Sequence, residues 1–145
     1  MLAKMKDIVK GNNLCVLATV SQGKPHCSFM SYVADDECRE IFMISHKRTK
    51  KYTNVMANPS VSLLIDTRQE ETGGRREKVK ALTVEGEFQS INDPVKKDLI
   101  RAWLLTKHPH LSGLINDPGA EIFSIKIMSF QLLDGVKDAY FEKVE

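Results

Sequence analysis

Residues 14–33 constrain the fold most strongly: two strand-length apolar runs, 14–20 and 25–33, flank Ser21-Gln22-Gly23-Lys24. Gly23 tolerates a positive φ, so these four residues are expected to close an antiparallel hairpin. Further strand-length runs follow at 40–44, 60–66, 78–90 and 121–133, each bounded by turn or helix signals. Six strands in this order predict a mainly β chain with α elements, folded as a six-stranded antiparallel barrel with peripheral helices. In the run 78–90, Leu82, Val84 and Phe88 share one face by period two, and Gly86 falls on that face. A glycine there predicts a sharp bend or the close approach of another backbone. Along 121–133 the apolar face changes near Met128, which predicts a β-bulge.

The helical signals lie between and before these runs. Leu2, Met5, Ile8 and Val9 share one helical face, and Gly11 is the expected C-cap. Asp93-Pro94 predicts a helix start, with Asp as N-cap and Pro in the first turn. Leu99, Ala102, Trp103 and Thr106 continue that helix, with Trp103 read as a packing anchor, and His108-Pro109 ends it. A short helical segment through Leu111, Leu114 and Ile115 and a turn at Asp117-Pro118-Gly119 precede the last strand. Residues 67–77 are the most polar stretch, with Gly73-Gly74 as the expected loop tip.

The chain has 145 residues, which suits a single domain spanning 1–145. A net charge of +2 gives no global field to attract nucleic acid. Cations instead cluster locally, at 46–51 and at Arg75, Arg76, Lys78 and Lys80, with few aromatics interleaved. Cys15, Cys27 and Cys38 form no CxxC pair, which argues against a disulfide framework or zinc site and points to a reducing cytoplasm. The N-terminus lacks a signal-peptide core, and no apolar run approaches a membrane span.

The stretch 41–59 carries the chemical signal. An apolar run, Ile41-Phe42-Met43-Ile44, breaks at Ser45, and a cationic segment follows with His46 at its start and Lys47, Arg48, Lys50 and Lys51 behind it. Tyr52, Val55 and Met56 take up helical spacing, and Asn58-Pro59 stops it. Strand, basic turn and short helix together suit a phosphate, through clustered cations and free amides at a helix N-terminus. A solvated charged turn is the plain alternative. His108-Pro109-His110 lacks a third metal ligand at suitable spacing, and no carboxylates pair convincingly for acid–base work. No metal site and no catalytic side chain are therefore expected.

Five stretches, LATVSQGKPHCSFMSYV, IFMISHKRTKK, NVMANPSVSLLI, LTVEGEFQSI and IFSIKIMSFQLL, together resemble the pyridoxamine 5′-phosphate oxidase-like family of FMN-binding split barrels. The resemblance covers nearly the whole chain, in the order and spacing of its elements. It implies that Lys50 and Lys51 hold the FMN phosphate, with a hydroxyl contact from Thr49. It implies that Ile44 and Ser45, ending the preceding strand, line the flavin, and that the second strand lays its backbone along the ring at Phe29, Met30, Ser31 and Tyr32. Barrel core is the competing role for Phe29 and Met30. It further implies a twofold homodimer with FMN at the interface. Apolar residues on both faces of the strands at 14–20 and 121–133 agree with cover by a second chain.

The departures bear on substrate. Ser28 stands where the family's oxidases place a phosphate-holding arginine, Val33 where they place a lysine for the B6 phosphate, and Ala81 where they place a glutamine. After Phe130 the chain has neither Arg nor His, so the family's Arg-x-His substrate motif is missing. The resemblance thus implies an FMN-binding oxidoreductase for a small-molecule or nicotinamide substrate rather than an authentic pyridoxamine phosphate oxidase. A non-enzymatic FMN electron carrier and a deazaflavin-binding reductase are the alternatives.

Overall fold

The computed structural model of the chain describes residues 1–68 and 78–145. The expected Gly73-Gly74 loop tip and the cations Arg75 and Arg76 lie outside the described residues. The elements are α1 (Leu2–Gly11), β1 (Leu14–Ser21), β2 (Lys24–Ser31), β3 (Val33–Ala34), β4 (Glu40–His46), α2 (Lys50–Ala57), β5 (Ser60–Asp66), β6 (Lys80–Ser90), α3 (Pro94–Lys107), α4 (Ser112–Ile115), β7 (Ala120–Asp134) and β8 (Asp138–Lys143). A 3-10 turn, Pro109–Leu111, joins α3 to α4.

All strand pairs are antiparallel, in the order β2-β1-β5-β6-β7-β4-β3, and β8 also pairs with β7. The β1–β2 hairpin turns on Gln22 and Gly23, both at positive φ (53° and 74°), the type I′ pattern that matches strand twist. The bulge falls at Met128: Glu85 faces Ser129 while Gly86 faces Ile127, leaving Met128 unpaired against β6. This residue also divides the other edge of β7, where β4 pairs with 120–126 and β8 with 129–134. A barrel wall splits there because one long strand serves two different neighbours.

Among the described residues eight strands stand where six were expected. The run 25–33 is interrupted at Tyr32, whose N–H donates to Asn13 O at 3.2 Å and whose carbonyl lies 2.8 Å from His108 Nε2. Both backbone groups leave the ladder, so Val33–Ala34 restarts as β3 on β4. The second addition, β8, follows a turn through Gly135 at φ 74°. At α1 the expected glycine cap is also corrected. Gly11 is the last helical residue, and extended Asn12 caps the helix by donating its Nδ2 to Ile8 O at 2.8 Å. The start of α3 follows expectation, with Asp93 accepting from Val95 N–H at 3.0 Å and Pro94 in the first turn.

Among the described residues two apolar clusters hold the fold. The inner one joins Met5 and Val9 of α1 to barrel residues such as Leu17, Met43, Leu63, Leu82, Ile125 and Phe130. Fully burying each such side chain contributes about 1.5–3 kcal/mol. The outer cluster packs Ile100 and Leu104 of α3, with Ile115 of α4, onto Val33, Phe42, Ile44 and Ile122. The apolar second face at the start of β7 is therefore covered by this chain's own helices. On α3 the buried positions are Ile100 and Leu104, while Leu99 is exposed and Trp103, its ring 6.3 Å from Phe42, is part exposed.

No helix among the described residues is long and apolar enough to cross a membrane. The three cysteines are free, with Cys15 and Cys38 buried and Cys27 exposed; burial pushes the Cys15 thiol up to about 12.

Candidate functional site: a groove between β2, β4 and the 108–114 segment

The site begins where β4 runs out. Ile41 to Ser45 are all buried, so the strand stays within the barrel wall up to His46, the first part-exposed residue. The chain then reverses through Lys47 and Arg48, and Thr49 caps α2 by accepting from Tyr52 N–H at 3.3 Å. The Thr49 hydroxyl donates to His46 O at 2.9 Å and lies 2.8 Å from Ser45 Oγ. Its one proton is thus committed to the turn. The first amides of α2, those of Lys50 and Lys51, have no acceptor within the helix and lie at the positive end of its dipole.

A groove of about 440 Å³ opens beside this turn, and that volume suits a small ligand. Its wall includes Phe29, Met30 and Ser31 of β2, Ile44, Ser45 and His46 of β4, Thr49 and Lys51 at the head of α2, and Leu14 of β1. The far side is closed by His110, Leu111 and Leu114. One end is cationic and hydroxylic; the rest mixes leucines, Ile44 and Phe29 with Ser31 and His110. Partial burial lowers the pKa of the Lys51 ammonium, because the charged form loses water.

Seven of the nine expected binding residues meet in this groove: Phe29, Met30, Ser31, Ile44, Ser45, Thr49 and Lys51. Two do not. Lys50 is exposed and outside the groove wall, since consecutive helical residues point about 100° apart. Tyr32 is fully buried, and its phenol donates to Val9 O at 2.6 Å, so its side chain belongs to the core and not to the groove. Met30 is itself only 5% exposed, which unites its two competing roles.

Leu14, His46, His110, Leu111 and Leu114 complete the wall without having been expected there. His108 explains the last three. It is buried, and its Nε2 meets Tyr32 O, pinning the end of α3 against the strand break. The Pro109–Leu111 turn then swings His110 to within 3.2 Å of Ser31 Oγ. The two histidines of the His-Pro-His sequence thus serve different places. Among the described residues no group of three or more His, Cys, Asp or Glu side chains could hold a metal ion.

The groove is continuous with an uncovered apolar strip. Val16 lies between Phe29 and Leu64 in register, and Phe29 is 69% exposed. Leu14 and Phe29 line both the groove and a neighbouring hollow that reaches Leu64.

The sequence profile of the family described as pyridoxamine 5′-phosphate oxidase matches residues 1–133. A search among curated proteins finds no match. Several solved structures share the fold. An FAD-binding protein from Mesorhizobium loti superposes with a TM-score of 0.75 at 22% identity, covering 91% of both chains. The General Stress Protein 26 from Bacillus anthracis str. Sterne gives 0.72 at 23% identity, covering 98% of this chain and 97% of that one. A heme binding protein from Mycobacterium smegmatis gives 0.83 at 16% identity; 97% of this chain matches 56% of that longer one. At these identities the likeness is one of fold.

Proposed function

The chain belongs to the pyridoxamine 5′-phosphate oxidase family, and from that premise we propose that it binds FMN in the groove and acts as a flavin-dependent oxidoreductase. The observation that carries this reading is Lys51 beside the N-terminus of α2, at one end of a groove whose remaining wall sets Ile44, Phe29, Met30 and leucines beside Ser31 and His110. A phosphate carrying roughly −1.5 to −2 charge near neutral pH fits the cationic end. A ring system fits the apolar remainder, with Ser31 and Ser45 for its polar edge. When bound, the flavin supplies the redox chemistry. The chain's own residues bind it, orient it and limit access to it, and no side chain need act as a nucleophile.

The substrate is a small molecule or a reduced nicotinamide. Pyridoxamine 5′-phosphate fits poorly. Val33 is fully buried under α3, so the position that would carry a phosphate-holding lysine is core instead. Free thiols and the absence of a spanning helix among the described residues suit a cytoplasmic setting.

Calorimetry with FMN and riboflavin tests the reading. FMN is expected to bind at least about tenfold more tightly, since charge-assisted hydrogen bonds contribute about 1.5–3 kcal/mol each. Equal affinities would remove the phosphate site. Haem is the competing occupant, favoured by the exposed His110 on the wall and by the haem-binding fold relative. The chromophore's spectrum separates them: flavin bands are expected, and a Soret band would reverse the assignment.

Phe29, Val16 and Leu64 extend the groove as an uncovered apolar strip. A second copy of the chain on that strip completes the site, in the twofold arrangement commonest among oligomers. Such an interface buries on the order of 2,000 Å² or more. Sedimentation at micromolar concentration is expected to show twice the 16.4 kDa chain mass; a lone 16.4 kDa species with FMN bound would rule the dimer out.

A further inference from the structure

His46 lines the groove, yet the flavin reading gives it no task. Its ring is tightly held. Nδ1 accepts the N–H of Arg48 at 3.1 Å, which leaves the ring proton on Nε2, 3.6 Å from Asp117 Oδ2. The ring edge occupies the space where a Cβ on Gly119 would sit, so a larger residue there would displace the His46 ring. That glycine is anchored in turn: its N–H donates to Asp117 Oδ1 at 2.8 Å, and its carbonyl accepts Lys47 N–H at 2.9 Å. The His46 carbonyl accepts both the N–H of Thr49, at 3.1 Å, and its hydroxyl, at 2.9 Å. Every backbone amide from 47 to 49 is therefore fixed by His46 or by the turn its ring rests on.

A side-chain acceptor bonded to the N–H two residues on is the geometry of an Asx turn. Here an imidazole nitrogen does what an asparagine oxygen does elsewhere. We propose that His46 is a positioning residue whose Nδ1 holds the 46–49 turn in the shape that presents Lys51 and the first amides of α2 to an anion. The geometry of the turn is independent of any ligand; the identity of the anion as the FMN phosphate rests on the reading above.

Side-chain chemistry distinguishes positioning from simple space-filling. Asparagine keeps an acceptor at the right reach but loses most of the ring. Glutamine is polar and larger, yet its oxygen sits one methylene too far. Leucine fills space and accepts nothing. Positioning predicts that His46→Asn restores function where His46→Gln and His46→Leu fail; space-filling predicts the reverse order.

The test uses the full chain in two measurements: FMN titration by fluorescence quenching, and hydrogen exchange of the Arg48 amide without flavin. His46→Asn is expected within about threefold of the parent in FMN affinity, while His46→Gln and His46→Leu bind about tenfold more weakly. Without flavin, the Arg48 amide should exchange about tenfold faster in the Gln and Leu variants and remain protected in the Asn variant. Parent-like affinity and protection in His46→Gln would overturn the proposal. If the parent takes up no FMN, the flavin reading fails, and the exchange measurement alone judges His46. Should His46→Leu not fold, the comparison of Gln with Asn carries the same decision.

Discussion

Lys51→Ala is expected to weaken FMN binding by about ten- to a hundredfold, with the melting temperature held near that of the parent. The magnitude follows from losing one charge-assisted contact worth about 1.5–3 kcal/mol. Lys51 alone of the paired lysines lines the groove, so its partner should behave differently. Lys50→Ala removes an exposed charge whose effect is screened by salt, and a change of about threefold or less is expected. The two variants, titrated side by side, check the assignment; equal losses would mean that the phosphate sits outside the groove.

A pH signature accompanies this. Burial holds the pKa of Lys51 below the ordinary 10.5 in the free chain. A bound phosphate stabilises the ammonium and raises that pKa again, so binding takes up a proton on the alkaline side. Affinity should therefore fall as pH rises through the lowered free-chain pKa, before 10.5 is reached, and stay independent of Lys51 below it. In Lys51→Ala this alkaline limb should flatten. A parent profile with no decline below 10.5 would show that the ammonium does not face the phosphate.

Gly86→Val is expected to be the most damaging single change to the fold. A Cβ at this position would lie 2.5 Å from Ile125 Cγ2 and 2.9 Å from the carbonyl oxygen of Lys126. The second neighbour is backbone within the β6–β7 ladder, so it cannot turn aside as a flexible side chain would. The site also adjoins the bulge, where register changes between Glu85 and Gly86. Overpacking of this kind costs about 3 kcal/mol, and valine adds two methyl groups to the clash. The melting temperature should drop by roughly 10 °C. Glu87→Ala, one residue on and exposed, should change it little. Equal melting of the two variants would show that β6 and β7 can separate at the bulge without loss.

Much of the architecture was legible in the residues because it depends on near neighbours. The hairpin turn at Gln22-Gly23, the cap at Asp93-Pro94, the bulge at Met128 and the tight glycine at 86 each follow from backbone preference or from a period of two. The basic turn was legible too, since Thr49 needs only its own helix to become a cap. What the residues could not reveal involves partners far along the chain. Tyr32 breaks β2 because Asn13 and His108 take its backbone groups. The second face at the start of β7 is covered by α3 and α4, and only packing decides between that and a second chain. The choice of Lys51 over Lys50, and the arrival of His110 beside Ser31, likewise wait on how α2 and the 108–114 segment dock. Local chemistry wrote the elements and the cationic turn. The groove itself exists only where four separated segments meet, because its walls are held by contacts between residues tens of positions apart.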